Sequence, residues 1–398
     1  MKKTLIIILA VVLILVGGVW VYLMMFGAPE SGDELFADLG FSGTNATNEF
    51  ERPVEQEQPF VSNETAIDDT QALNLLTLGP VAGAVIVGTT TDMQSVRYVN
   101  RTNGFIAEID LTNNSETNLL TTSRGPVKDA VWSPDGAYVV INSGTTVDEQ
   151  TELLVWKEGN ASSAPGFSVR SLPTDAYNFG FNEDSTELYY LRTDAEGSLA
   201  YVYDLATLES RVWFSLPFIA PAVAWNDTPL IYNRPGEGYT GYAYRYVNNQ
   251  LQTVGFGSTE LVATLMDDQF ELLTSKLPDG QLVSYLGDTV DLYTVEFIAL
   301  PEKCDSHLNE GSATVYCGAP QSTTNGLPTS WYKGQTTLVD DIWSFTIGVG
   351  NGNKLADLQA LSGQAIDVID MSVDYTGTRL LFRDKTTNAL WFYDTAVE

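Results

Sequence analysis

A hairpin unit that recurs along the chain constrains the fold more than any other feature. Its clearest copy runs from Asp129 to Ile141: an apolar strand, the turn residues Ser133-Pro-Asp-Gly136 and a second strand of β-branched and aromatic residues. A third apolar strand follows each copy. The residues that precede the turns of the degenerate copies are Phe181, Trp225, Leu265, His307 and Val373. The pattern predicts an all-β chain of repeated antiparallel sheets.

The period of the repeat identifies the architecture. The third strands end at positions from Ile109 to Tyr393 in six steps, which gives a repeat of about 47 residues, within the roughly 40 to 50 expected of four-stranded propeller blades. Strand repeats also occur in solenoids and in paired sandwiches, but the period and the turn spacing favour a propeller. We therefore expect a seven-bladed β-propeller over residues 72–398.

A family resemblance appears at Trp132-Ser-Pro-Asp-Gly136, which resembles the WD40-like motif of periplasmic TolB-type propellers. The full motif occurs once, and its other copies are degenerate. The chain also resembles uncharacterised membrane-anchored bacterial propellers over 80–83, 96–98 and 304–343. The resemblance implies a fold and a location and no activity, so no functional residue is carried over from it.

The N-terminal segment predicts a membrane anchor. Lys2 and Lys3 precede an uncharged run over residues 4–29, long enough for the roughly 20 residues that span a bilayer. A cleaved signal peptide is the alternative, but the bulky run Tyr22-Leu-Met-Met-Phe26 is unlike a cleavage site. The positive-inside rule places residues 1–3 in the cytoplasm and the propeller outside, in the periplasm or at the cell surface.

Residues 30–71 predict a disordered acidic tether, because they are rich in Gly, Ser, Asn, Pro, Asp and Glu and contain one basic residue, Arg52. The apolar island from Glu34 to Phe41 is either a transiently helical piece of linker or a short docking helix. The net charge of −31 and the pI near 4.1 argue against nucleic acid as a partner. The acids are expected to form a solvated surface, although a cationic partner or weak divalent-ion binding is compatible with them.

The sequence does not predict a catalytic, metal or cofactor site. The one histidine, His307, stands where other repeats carry a packing aromatic residue, so we expect it to pack between blades. The pairs Asp267-Asp268 and Asp340-Asp341 are expected to be solvated loop acids, because adjacent strand residues point to opposite faces and cannot form a dyad. The run Gly348–Asn353 lacks the Lys-Ser/Thr of a P-loop and predicts a turn.

Three structural predictions concern the last two repeats. Cys304 and Cys317 lie symmetrically about a turn and should form a disulfide, which would contribute roughly 3 kcal/mol by closing a short loop. The unassigned segment 72–78 should complete the last blade, which lacks a fourth strand. Trp331 and Tyr332, in an extra stretch of the sixth repeat, are either an exposed partner-contact element or buried over their own blade.

Two functional classes follow. The first is a membrane-anchored, extracytoplasmic scaffold that binds an unknown envelope or extracellular protein or glycan without catalysis or a cofactor. The second is a propeller hydrolase that acts on envelope glycans or peptides through acids in the central channel. Converging carboxylates with shifted pKa values would favour the hydrolase, and an open polar channel would favour the scaffold.

Overall fold

The computed structural model describes residues 71–397, except 89–93, 114, 146–147, 160–164, 267–268, 289–290, 310–311, 349 and 351. The predicted cytoplasmic residues 1–3, the predicted anchor 4–29 and almost all of the predicted tether 30–71 lie outside the described residues. Within the described part of the chain, no helix combines the length and the apolar character needed to cross a membrane.

The described residues form six antiparallel sheets, which we name A to F in chain order. The first strand, β1 (Leu73–Leu75), joins the last sheet. Sheet A contains β2 (Val81–Val87), β3 (Ser95–Asn100), β4 (Ile106–Asp110) and β5 (Ser115–Leu120). Sheet B contains β6 (Val127–Trp132), β7 (Tyr138–Ser143), β8 (Gln150–Lys157) and β9 (Gly166–Ser171). Sheet C contains β10 (Tyr177–Phe181), β11 (Glu187–Thr193), β12 (Ser198–Asp204) and β13 (Glu209–Leu216).

Sheet D has seven strands and differs from the others. It contains β14 (Ala222–Ala224), β15 (Leu230–Tyr232), β16 (Thr240–Val247), β17 (Gln250–Leu265), β18 (Glu271–Lys276), β19 (Leu282–Gly287) and β20 (Leu292–Thr294). The long strand β17 pairs with β16 through its first part and with β18 through its second part, and Thr259 takes part in both pairings. Sheet D is therefore two four-stranded groups that share one strand.

The last two sheets complete the chain. Sheet E contains β21 (Cys304–Asn309), β22 (Ser312–Pro320), β23 (Asp340–Thr346) and β24 (Gly352–Asp357). Sheet F contains β25 (Val368–Val373), β26 (Arg379–Asp384), β27 (Leu390–Asp394) and β1. Within the described residues, the helices are a 3-10 turn at Pro301–Lys303 and two short α-helices at Thr329–Tyr332 and Leu358–Ser362.

The first strands of successive groups lie side by side and close a ring. β2 contacts β6, β6 contacts β10, β10 contacts β14, β14 contacts β17, β21 contacts β25 and β25 contacts β2. The 3-10 turn contacts both β17 and β25 and fills the remaining step. We call the end at which each first strand turns into its second strand the turn end, and the opposite end the insertion end, after the segment 321–339 between β22 and β23.

The predicted turn chemistry is present at the turn end. In Ser133–Gly136, the Tyr138 amide donates to Ser133 Oγ at 2.9 Å, the Ala137 amide donates to Asp135 Oδ1 at 2.9 Å, and Gly136 has a φ of 68°. This φ lies in the left-handed region, where glycine carries no steric penalty. The degenerate copy at Asp374 has the same geometry, with its carboxylate accepting from the Thr378 amide at 2.9 Å.

Tryptophans of the repeat join neighbouring sheets. Trp132 Nε1 donates to the Gly83 carbonyl at 3.2 Å, and Trp225 Nε1 donates to the Asn178 carbonyl at 2.6 Å. Sheets A and B approach so closely that a Cβ on Gly83 would lie 1.9 Å from the Ala130 carbonyl oxygen. Only glycine fits there, because the nearest atom is backbone and cannot move alone.

The ring closes through the N-terminal strand, as the sequence predicted. β1 pairs with β27, with Leu73 opposite Tyr393 and Leu75 opposite Trp391. The strand is shorter than the predicted segment 72–78, but it supplies the fourth strand of sheet F. The edge of β27 is thereby covered.

Candidate functional site

A buried ion network lies at the insertion end of the ring. The 3-10 turn delivers Lys303, whose Nζ lies 2.5 Å from Asp340 Oδ2 and 2.5 Å from Asp367 Oδ1. All three side chains are inaccessible to solvent. Burial raises the pKa of Asp340 to about 6, in spite of the nearby ammonium group. One lysine thus joins the start of β21 to the start of β23 and the residue before β25.

Trp331 is buried in this network, with 3% of its surface exposed. Its Nε1 donates to Asp367 at 2.9 Å, and Lys385 Nζ lies 3.5 Å from the ring centre. The expectation that Trp331 is an exposed contact residue is therefore wrong. Trp331 is buried, but against sheet D and the residues flanking sheet F rather than over its own blade. The physical reason is that the indole N–H finds a buried carboxylate while the ring face receives cations.

Tyr332 and Thr329 fix the rest of the insertion. Tyr332 is half-buried, and its hydroxyl donates to Glu302 Oε2 at 2.5 Å. Thr329 Oγ1 donates to Glu260 Oε2 at 2.5 Å. Burial raises the pKa of both Glu302 and Tyr332. The insertion is thus bound to sheet D and, through Trp331, to the residue before β25, which leaves Tyr332 little freedom to contact a partner.

A second ionic cluster joins the first and last sheets. Arg383 Nε donates to Asp370 Oδ2 at 2.8 Å, and its Nη1 donates to the Val81 carbonyl at 2.7 Å. The Asp129 carboxyl reaches solvent but is otherwise surrounded by protein, which raises its pKa, with the charge of Asp370 as the second cause. Asp129 and Asp370 lie at irregularities of the first strands β6 and β25, and Asp370 has a φ of 50°. Such bulges redirect side chains, and the sequence analysis did not find them.

The predicted disulfide is present. Cys304 and Cys317 face each other across β21 and β22, with an S–S distance of 2.14 Å and a Cα–Cα distance of 4.2 Å. His307 lies three residues further along β21 and is half-buried, and its ring lies 2.5 Å from where a Cβ on Gly377 would be. It packs against the turn of sheet F, in agreement with the expected packing role.

The acidic pairs have different outcomes. Asp267 and Asp268 lie outside the described residues. Asp340 and Asp341 point to opposite sides, toward Lys303 and Lys354 respectively, so they do not form a dyad, as predicted. The expectation that they are solvated is wrong, because both are buried, and each carboxylate pairs with a lysine. The described residues contain no group of three His, Cys, Asp or Glu side chains placed to hold a metal ion.

Comparison with known proteins identifies the fold. No protein-family model matches the chain, and no curated protein matches it. The structure is similar to the β-propeller domain of the Trilobed protease from Pyrococcus furiosus, with 14% identity and a TM-score of 0.50 over 78% of this chain and 95% of that one. That domain is described as having an open velcro topology, whereas β1 closes the ring here. The fold is a β-propeller, as the sequence predicted.

Two further structures are similar to this chain. TolB from Acinetobacter baumannii matches at 12% identity with a TM-score of 0.39, over 78% of this chain and 63% of TolB. An acylaminoacyl peptidase in complex with Z-Gly-Gly-Phe-chloromethyl ketone matches at 12% identity with a TM-score of 0.49, over 78% of this chain and 51% of the peptidase. The chain thus spans less than two thirds of both proteins.

Proposed function

We propose that the chain is a membrane-anchored, extracytoplasmic propeller of seven blades that binds an envelope or extracellular protein or glycan and carries no chemistry of its own. The blade count follows from counting sheet D as two blades that share β17. The apolar run 4–29 and the preceding lysines support the anchor and its orientation. The disulfide supports an oxidising compartment, since such bonds persist outside the cytoplasm.

The observation that carries the binding function is how the ionisable groups at the insertion end are used. Lys303 is held by Asp340 and Asp367, and Glu302 is held by Tyr332. Each of these contacts joins the 3-10 turn to another part of the fold, which is typical of residues that stabilise a structure. None of these contacts pairs a nucleophile with a base, which hydrolysis through a covalent intermediate requires. The loops of the ring remain available for binding.

Crosslinking in membranes tests this proposal. The intact chain and a control, in which residues 72–398 are replaced by an unrelated domain on the same anchor and tether, are expressed and treated with a membrane-impermeant crosslinker. A partner recovered with the intact chain alone is the expected result. Protease added to spheroplasts should digest the propeller. Survival of the propeller would contradict the orientation, and turnover of a defined glycan or peptide by the purified chain would contradict the absence of chemistry.

A propeller hydrolase is the second candidate, and one observation favours it. Burial raises the pKa values of Asp129 and Glu302, and the charge of Asp370 raises both further. Carboxyls with raised pKa values are suited to proton transfer near neutral pH. If the chain hydrolyses a glycan or peptide, Asp129→Asn should abolish turnover and leave the melting temperature unchanged.

A further inference from the structure

Two adjoining cavities open at the turn end of the ring. One of about 250 Å³ is lined by sheets C and D, and one of about 410 Å³ is lined by sheets C, D, E and F. They share Glu183 and Met266. Because the second cavity includes residues from sheets C and F, which are not neighbours, it lies across the axis of the ring. We call the two cavities together the turn-end mouth.

The floor of the turn-end mouth is apolar and rigidly held. Phe181, Trp225 and Met266 line the smaller cavity. Trp225 is fixed by its hydrogen bond to the Asn178 carbonyl and by stacking on Trp213, with ring centres 6.5 Å apart. Met266 is 7% exposed. Apolar surface of this kind accommodates the aliphatic part of a long side chain.

The rim of the turn-end mouth is acidic. Asp184 and Asp227 are exposed, and their carboxylates accept no hydrogen bond from the residues that the structure describes. In the sequence, none of the segments joining the first strands to the second strands contains a lysine or an arginine, and each contains an acid. The basic residues Lys303, Arg383 and Lys385 lie instead toward the insertion end. Arg97 and Arg379 also lie at the turn end, but Arg97 is paired with Glu108 and Arg379 with Asp394, so the rim of the mouth stays acidic.

We propose that the turn-end mouth binds a lysine- or arginine-bearing peptide segment of the partner. This inference rests on the proposed binding function and specifies its partner class. The aliphatic stem of a basic side chain lies on Phe181, Trp225 and Met266, and its cation meets Asp184 and Asp227. The net charge of −31 steers such a segment toward the chain, and complementary charge at the rim fixes its register.

Fluorescence anisotropy tests the inference directly. The intact chain in non-ionic detergent is titrated into a fluorescein-labelled decapeptide of alternating lysine and alanine, with the glutamate–alanine decapeptide as the reference. The test variant is Asp184→Asn with Asp227→Asn. The control is Glu196→Gln with Glu237→Gln, which changes two exposed acids at the opposite end of sheets C and D and alters the net charge equally.

The test variant should bind the lysine peptide about tenfold more weakly than the parent, and the control variant less than about twofold more weakly. The salt dependence of binding should also be weaker in the test variant. Equal loss in the two variants would show general attraction to an acidic protein and overturn the inference. Unlabelled spermine that displaces the peptide at equal or lower concentration would overturn it in favour of a polyamine.

The crosslinked partner separates this inference from the proposed function. A partner recovered with the intact chain and lost with the Asp184→Asn, Asp227→Asn variant supports both. A partner recovered equally with that variant overturns the turn-end mouth as its site and leaves the binding function standing. Cleavage of the lysine peptide by the intact chain overturns the binding function itself.

Discussion

Replacing Lys303 by methionine should destabilise the propeller more than replacing any exposed lysine. Lys303 Nζ contacts Asp340 and Asp367 at 2.5 Å each in a site without solvent. Methionine preserves much of the apolar stem but removes the charge, so two carboxylates remain buried without their cation. Breaking a buried ion pair in this way costs about 3–5 kcal/mol, because the uncompensated charge stays in the interior.

Lys354 provides a matched control. It also contacts two aspartates, with Nζ 2.7 Å from Asp341 and 3.3 Å from Asp357, but its side chain is 40% exposed. When Lys354 is lost, the exposed Asp357 is solvated by water and Asp341 keeps its hydrogen bond from Gln321, so Lys354→Met should cost about 0–1 kcal/mol. Because both lysines contact two aspartates, the difference in unfolding free energy between the two variants measures the effect of burial.

Urea unfolding of the intact chain in detergent, followed by tryptophan fluorescence and near-UV circular dichroism, measures the two costs. A variant whose unfolding free energy depends on urea concentration with an unchanged slope, but whose midpoint is shifted, differs from the parent in stability alone. Because Trp331 contacts the network, Lys303→Met should also change the near-UV spectrum in the native state. Equal destabilisation by the two substitutions would refute the reasoning, since it would mean that burial of Lys303 adds nothing.

Three further outcomes are expected. Gly83→Ala should cost about 1–3 kcal/mol in urea unfolding, because its Cβ meets the Ala130 carbonyl at 1.9 Å, while Gly166→Ala, which meets nothing within 4 Å, should stay within about 0.5 kcal/mol. Burial raises the pKa of Asp305 to about 6 from 3.8. Its contribution to stability is therefore present below about pH 4 and is lost as the pH rises to 6, so the melting temperature should fall over that window. Asp305→Asn should make this fall smaller. Deleting residues 72–78 should give a chain that aggregates in light scattering, and a deletion that melts like the parent would contradict closure by β1.

The hairpins, the period and the closing strand could be predicted because their signals are local. An Asp-Gly turn between apolar runs specifies a hairpin without reference to the rest of the chain, and Cys304 and Cys317 flank one such hairpin. The segment 72–78 was identified because the last repeat had three strands. Each inference needed only the order of neighbouring residues.

The ion network at the insertion end could not be predicted, because its members are distant in the sequence. Lys303 lies 37 positions from Asp340 and 64 positions from Asp367, and no local pattern joins them. For the same reason the sequence left Trp331 open between exposure and burial. Its environment is set by Asp367 and Lys385, which lie outside the sequence of the insertion. The bulge at Asp370 was missed because an aspartate within a strand does not reveal a positive φ.

The pairing of β1 with β27 also fixes the order in which the molecule can be assembled. Leu75 and its partner Trp391 are separated by almost the whole propeller, and the contact cannot form until both have been synthesised. At roughly 5–20 residues per second, about 320 residues take on the order of 16–60 s, during which β1 has no strand to pair with. The hairpins between them form from local contacts well within that time. A ribosome that stops before Leu390 would therefore release the hairpin groups as an open chain, in which β1 has no strand to pair with and the edge of β26 is exposed.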